Sequence, residues 1–138
     1  MNEPLPQPVP NPDSAPYWEG ARNGKLLIRR CRRCTALHFM PRHLCPKCWS
    51  DDLEWVQASG RGTVHSFTII RRAPAAAFAP RVPYVVALID LEEGLRMLSN
   101  VVGETALETR IGDAVRLCFE DRGDGAKLPQ FSREADAS

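Results

Sequence analysis

The sequence predicts a mainly β protein with a small α part, in which a short helical segment precedes a metal-binding ribbon and a five-stranded barrel. Two observations lead to this prediction. Two Cys-x2-Cys pairs lie ten residues apart, and two facing knuckles of this kind can surround one metal ion. After Gly62, five short segments with β propensity are separated by turn residues and one helical turn, an order that matches an OB-type barrel.

Composition sets limits on the kind of protein. The chain has 138 residues, 43% of them hydrophobic, which fits one ordinary domain or two small ones. No apolar stretch suits a signal peptide or a membrane span, so we expect a cytoplasmic protein with reduced thiols.

The net charge of +1 shows no overall bias toward nucleic acid or membrane. The charge is nevertheless segregated, with eight basic and no acidic residues between Gly20 and Cys48, and eleven acidic against six basic from Asp90 onward.

The N-terminus is rich in proline. Six of the twelve prolines lie in residues 1–16, and such spacing removes backbone donors and favours the polyproline II conformation. We therefore predict that residues 1–14 form an arm that is disordered or lies along a partner. Residues 134–138 are predicted to be a tail.

A short helix, or a helical pair, is predicted from Ala15 to Ile28. Asp13 or Ser14 could cap it, and the Asn23-Gly24 pair marks a break or turn. Its apolar stripe includes Tyr17, Trp18 and Ala21.

The five predicted strands differ in how they should be buried. Tyr84 to Leu91 is nearly all apolar, as expected of a strand in a barrel. In Ala114 to Asp121 the alternation assigns Phe119 to the core and Cys118 to the other face. Pro129 suggests that the last strand lies at an edge or bulge. The predicted strands are Thr63 to Arg71, Tyr84 to Leu91, Leu95 to Val102, Ala114 to Asp121 and Lys127 to Ser132, with a short helix or turn at Glu104 to Arg110. The pattern alone also allows an SH3-like barrel.

The cysteines indicate a metal site. The chain has five, and an odd number argues against a complete disulfide framework. A redox dithiol is the alternative, but it would not need a second pair at ribbon spacing. Four thiolates fill a tetrahedron, so His38 and His43 are left as loop residues and the metal should be structural. Zinc is preferred to iron because no second redox cofactor motif is present, although the sequence leaves iron open. The predicted ligands are Cys31, Cys34, Cys45 and Cys48.

Several motifs together resemble the DUF35 family. They are Tyr17-Trp18-Glu19-Gly20, Phe39-Met40-Pro41-Arg42, the two cysteine knuckles, Gly60-Arg61-Gly62-Thr63-Val64 and Ile111-Gly112-Asp113-Ala114-Val115. The similarity runs from about Ala15 to Phe131. It implies an N-terminal helical hairpin with a rubredoxin-like zinc ribbon over residues 15–58, and an OB-fold over residues 59–133.

The resemblance also implies a function in acyl-CoA metabolism. Members of this family serve as accessory subunits of thiolase-like or lipid-transfer-type thiolase enzymes, acyl-CoA hydratases, aldolases or acyltransferases. The family motifs place the four cysteines as metal ligands and supply no catalytic residue. We therefore expect a non-catalytic subunit that contacts acyl-CoA, and no catalysis by the isolated chain.

The basic segment supplies the candidate contact residues. Arg29, Arg30, Arg32 and Arg33 could meet CoA phosphates or an acidic partner surface. Ordinary solvated surface charge is the alternative. The Ala73 to Pro80 stretch could cover a partner or an acyl chain, or simply connect two strands.

Two other functions remain open from the residues. An OB-fold that binds single-stranded nucleic acid would carry exposed aromatic residues on a basic face, and the barrel segment has only five aromatic residues. An acyl-CoA enzyme acting alone would need a nucleophile with a base. Cys118, the fifth thiol, has no histidine that the sequence identifies as its neighbour.

Overall fold

The computed structural model describes residues 11–39, 42–123 and 126–134. Most of the predicted proline-rich arm and of the C-terminal tail lies outside the described residues, as do Met40 and Pro41. The described part contains no helix that is long and apolar enough to cross a membrane. Its elements are α1 (Ala15–Arg22), β1 (Leu27–Cys31), β2 (Leu37–His38), β3 (Leu53–Gln57), β4 (Arg61–Ile70), a 3-10 helix (Ala76–Arg81), β5 (Tyr84–Leu91), β6 (Arg96–Val102), a 3-10 turn (Ala106–Glu108), β7 (Ala114–Gly123) and β8 (Ala126–Arg133).

Helix α1 is shorter than the predicted helical segment. Ser14 occupies the N-cap position, and the helix ends at Arg22. Gly24 then takes a φ of 75°, a left-handed conformation that glycine adopts without steric cost. The expected second helix of a hairpin is absent from residues 15–39, because the chain after this turn enters β1. That strand satisfies its backbone groups by pairing with β2 on one side and β3 on the other.

A small antiparallel sheet contains the first cysteine. Its strand order is β2-β1-β3, with Arg29 opposite His38 and Cys31 opposite Leu53. His38, which the sequence placed in a loop, is therefore the last residue of β2. The sheet brings the start of the first knuckle next to the segment that follows the second knuckle.

The second sheet is a closed barrel with strand order β4-β5-β6-β8-β7. Its five strands confirm the mainly β prediction, and β5 has the predicted bounds. The barrel closes where Arg61 to Thr63 pair with β7 and where β6 pairs in parallel with β8, with Val101 opposite Phe131. Along β5 the buried residues alternate with half-buried ones, because one side faces the barrel interior.

Two details of the strand prediction were wrong. Of the two alternatives for Pro129, the edge is wrong, since β8 lies between β6 and β7. The β7–β8 pairing does contain an irregularity, but it lies between Asp121 and Gly123 and not at Pro129. Pro129 is accommodated because it lies opposite Phe119 of β7 but precedes the short β6 ladder, which begins at Phe131. Phe119 is only half-buried and does not belong to the buried core cluster.

One hydrophobic core joins the two sheets. Leu26 and Ile28, before and within β1, are 1% and 0% exposed and pack in the same cluster as barrel residues. Among the described residues, Phe131 is the largest side chain that is fully buried. Barrel members of this cluster are Val64, Val85, Ala87, Ile89, Leu91, Leu95, Met97, Val101, Val115 and Phe131. The ribbon sheet is therefore packed against the barrel through apolar side chains.

Gly62 is a position where any side chain would collide with β5. A Cβ atom there would lie 2.7 Å from Ile89 Cγ2 and 2.9 Å from the Asp90 carbonyl oxygen. We expect Gly62→Ala to lower the free energy of unfolding by about 1–3 kcal/mol through overpacking. Urea unfolding followed by circular dichroism would measure it. The neighbouring Thr63→Ala, at an exposed side chain, serves as control, and equal losses in both variants would contradict the steric explanation.

Candidate metal centre and adjoining cleft

Four thiols from the two knuckles converge at one point. The Sγ atoms of Cys31, Cys34, Cys45 and Cys48 all lie within 4.8 Å of one another. The Cys31–Cys48 and Cys34–Cys45 pairs are 3.5 and 3.6 Å apart. A tetrahedral ion with metal–sulfur bonds of about 2.3 Å needs sulfur–sulfur distances of about 3.8 Å. The four-cysteine cluster therefore has metal-binding geometry.

The two knuckles are built from the same turn. The N–H of Thr35 donates to the Cys31 carbonyl at 2.8 Å, and the N–H of Trp49 donates to the Cys45 carbonyl at 2.9 Å. Thr35 and Trp49 both have a φ of 65°, an unusual left-handed conformation for residues with side chains. Such strain persists only where the surrounding structure holds it. The repeated turn aims both cysteine pairs at a common centre.

Backbone N–H groups stabilise negative charge on the sulfurs. The amides of Cys48 and Lys47 lower the pKa of Cys45 to about 6, and the Lys47 N lies 3.4 Å from the sulfur. The amides of Cys34 and Arg33 likewise lower the pKa of Cys31. At Cys48 the Ser50 amide acts in the same direction, but burial and the neighbouring sulfurs outweigh it and raise the pKa to about 12. Four thiolates this close therefore require a cation, which fits a metal site.

The four candidate arginines lie in different environments. The Arg30 guanidinium lies 3.1 Å from Glu54, and that of Arg32 lies 3.3 Å from Asp52. The Arg29 guanidinium lies 4.5 Å from the centre of the Trp55 ring, and burial lowers its pKa. Arg33 is exposed, and no ion pair to it is found among the described residues. The structure thus places three of these arginines against Trp55 or an acidic side chain, and it leaves Arg33 exposed.

The remaining histidine and thiol candidates are apart from the cluster. His43 lies 3.8 Å from Asp13. Burial and nearby Arg29 and Arg42 lower the pKa of His38. Cys118 is half-buried on β7 opposite Gln130, and burial raises its pKa. A thiol with a raised pKa is a poor nucleophile.

An apolar cleft of about 460 Å³ lies between α1 and the outer face of the barrel. Tyr17 contacts both Trp18 and Phe39 edge-on, with ring centroids 4.9 and 5.7 Å apart. Across the cleft, Phe78 packs on Tyr84 at 5.9 Å. The other lining residues include Ser14, Val86, Met97, Leu98, Asn100, Leu128 and Pro129.

Sequence patterns did not predict this cleft. Its lining comes from α1, the end of the small sheet, the loop after β4 and four barrel strands, so no single segment contains it. Two parts of the sequence pointed to its walls, the apolar stripe with Tyr17 and Trp18 and the Ala73 to Pro80 stretch with Phe78. Phe78 lies in the short 3-10 helix Ala76–Arg81, and its ring forms part of one wall of the cleft.

Two family comparisons match adjacent parts of the chain. Residues 18–54 match the family described as "ChsH2, rubredoxin-like zinc ribbon domain". Residues 55–120 match "ChsH2, C-terminal OB-fold domain". The first match contains all four cysteines of the cluster, and the second covers most of the closed barrel.

Individual proteins show the same similarity. A "probable enoyl-CoA hydratase alpha subunit" of Thermomonospora curvata is 38% identical over 91% of this chain, which spans only 39% of that protein. The "benzoylsuccinyl-CoA thiolase subunit BbsA" of Thauera aromatica is 32% identical over 89% of this chain and 79% of its own. A solved structure described as "Ltp2-ChsH2(DUF35) aldolase" has a chain with 37% identity and a TM-score of 0.82, covering 93% of this chain and 99% of its own.

Proposed function

Because this chain belongs to the DUF35 family of ChsH2-type zinc-ribbon and OB-fold proteins, we propose that it is a non-catalytic accessory subunit of a thiolase-like or other acyl-CoA-processing enzyme. The observation that supports this most is the match over 99% of a chain in an aldolase structure. Two relatives that are described as subunits of a CoA-thioester thiolase and a hydratase support the same class of partner.

The metal in this proposal is a structural Zn²⁺ ion. Cys31, Cys34, Cys45 and Cys48 would hold it, since four sulfurs suit zinc and leave no open coordination position for substrate. When bound, the ion supplies positive charge that keeps all four thiols ionised. Thiol ligands fit a reducing compartment, so we place the protein in the cytoplasm.

The two parts of the chain, the ribbon with α1 and the barrel, would have different functions in the subunit. We propose that residues 15–58 form a metal-held docking platform and that residues 59–133 contact the enzyme and its acyl-CoA. Arg29, Arg30, Arg32 and Arg33 remain our candidates for contact with CoA phosphates or an acidic partner. Ion pairs between exposed residues, such as that of Arg32 with Asp52, contribute little and can be exchanged for a phosphate.

The proposal is tested by co-expression with a thiolase-like enzyme from the same organism, with the zinc-loaded chain tagged. We expect the two proteins to co-purify, thioester turnover to require the enzyme, and the isolated chain to have none. Turnover by the isolated chain would contradict the proposal. So would micromolar, salt-sensitive binding of a single-stranded oligonucleotide without association with an acyl-CoA enzyme, which would instead favour the nucleic-acid function.

Charge reversal at Arg33 tests the contact surface. We expect Arg33→Glu to weaken association with the enzyme or with CoA about tenfold, mainly through a slower association rate, because exposed charges steer encounter. Surface plasmon resonance at two salt concentrations would measure it. Arg71→Glu makes the same charge change at another exposed arginine and should leave binding unchanged. Equal losses in both variants would show a general effect of net charge.

A further inference from the structure

The cleft between α1 and the barrel has the chemistry of a peptide-binding groove. Its walls carry Tyr17, Trp18, Phe39, Phe78 and Tyr84, half of the ten aromatic residues in the chain. Leu98, which also lines it, is 60% exposed, an uncommon state for a large apolar side chain beside other apolar groups. Grooves lined by aromatic rings bind proline-rich segments in the polyproline II conformation.

The N-terminal segment enters the described structure at the rim of this cleft. Ser14 lines the cleft, and it is tied to Asn11 in both directions. The Asn11 N–H donates to Ser14 Oγ at 3.0 Å, and the Ser14 N–H donates to Asn11 Oδ1 at 2.8 Å. The Ala15 N–H also donates to the Asn11 carbonyl at 2.8 Å. These bonds hold the point from which residues 1–10 extend.

Residues 1–10 have the composition that such a groove recognises. Prolines occupy positions 4, 6, 8 and 10, and Glu3 is the only charged side chain. In a polyproline II helix ten residues span about 31 Å at about 3.1 Å per residue. A segment of that length can reach along the cleft, because Ser14, only three residues after Asn11, already lies in the cleft lining. Because proline is restricted before binding, ordering such a segment costs little conformational entropy.

We propose that the proline-rich segment of residues 4–10 binds in the aromatic cleft of its own chain. Attachment at Asn11 makes this binding intramolecular, with an effective concentration on the order of millimolar. The segment then covers Leu98 and the aromatic rings. Another ligand for the cleft has to displace it.

The proposal is tested in the zinc-loaded chain of 138 residues by replacing Pro4, Pro6, Pro8 and Pro10 with serine. NMR would follow the indole of Trp18 and the methyl groups of Leu98 and Leu128. We expect these resonances to shift in the serine variant while signals from the ribbon cysteines stay in place. A synthetic peptide of residues 1–12 should restore them, and it should bind the wild-type protein at least about tenfold more weakly, since there the cleft is already filled.

Two controls separate cleft binding from other effects. The same peptide with its prolines replaced by serine should not restore the resonances. In the serine variant, Leu98→Glu should abolish peptide binding, and because Leu98 is largely exposed the fold should survive; Ile111→Glu, at another exposed residue, should not change binding. The proposal fails if the four serines leave Trp18 and Leu98 unshifted, if both peptides bind equally, or if the cleft takes a short-chain acyl thioester and ignores the peptide. Co-purification with the enzyme, which tests the proposed function, does not depend on whether the peptide binds in the cleft, so the two proposals can fail separately.

Discussion

The Cys45→Ser variant is expected to lose its metal ion and to unfold the knuckle segment, residues 31–53. The Cys45 side chain is fully buried, and serine offers a hydroxyl that is not ionised at neutral pH. Among the described residues of this segment only Leu37 and Phe39 pack against the core cluster, and both are only partly buried, so little apolar burial holds the segment without the metal. In structural zinc sites the binding free energy, about 10–16 kcal/mol in small peptides, is folding free energy. The expected loss is therefore several kcal/mol or more.

Elemental analysis and hydrogen exchange measure the two effects separately. We expect about one zinc per wild-type chain and almost none in the variant, with amide protection lost in residues 31–53 and retained in the barrel. Cys118→Ser makes the same chemical change outside the cluster and should retain both metal and protection. Normal zinc content in Cys45→Ser would rule out the four-cysteine site, and a visible absorption band in fresh wild-type protein would indicate iron.

The Phe131→Ala variant is expected to destabilise the whole barrel. Phe131 is 0% exposed and lies on the closing strand, opposite Leu117 of β7 and Val101 of β6. Removing a buried phenyl ring leaves a cavity and costs about 3–5 kcal/mol. Because small domains are stable by only about 5–15 kcal/mol, this single change removes a large part of the total.

Urea unfolding of the zinc-loaded protein would measure this loss. The midpoint should fall while the slope against urea concentration stays the same, since the surface exposed on unfolding is unchanged. Ile111→Ala removes an aliphatic side chain that is 71% exposed and should change the free energy of unfolding by less than about 0.5 kcal/mol. A loss below about 1 kcal/mol for Phe131→Ala would show that the neighbouring side chains fill the cavity.

The features that the sequence predicted well are those with strong local signals. Strand β5 was predicted with its correct bounds because its eight residues are nearly all apolar and end at a tight turn. The predicted set of cysteines converges because each knuckle is a local turn. The helical hairpin and the edge position of β8 were wrong. In both places pairing with other strands decided the structure. The segment predicted as a second helix contains the start of β1, which pairs with β2 and β3. Strand β8 pairs with both β6 and β7.

Spacing along the chain was sufficient to predict which thiols meet and which segments form the barrel strands, since a knuckle turn and a β segment depend on a few neighbouring residues, whereas the three strands of the small sheet were not predicted. Only the tertiary structure shows that Ile28 of the small sheet and Phe131 of the barrel share one core. It also places Trp18, Phe39 and Phe78 around one cleft. These side chains are tens of residues apart, and they meet only because the barrel closes and α1 packs against β8. Burial of apolar surface favours both contacts.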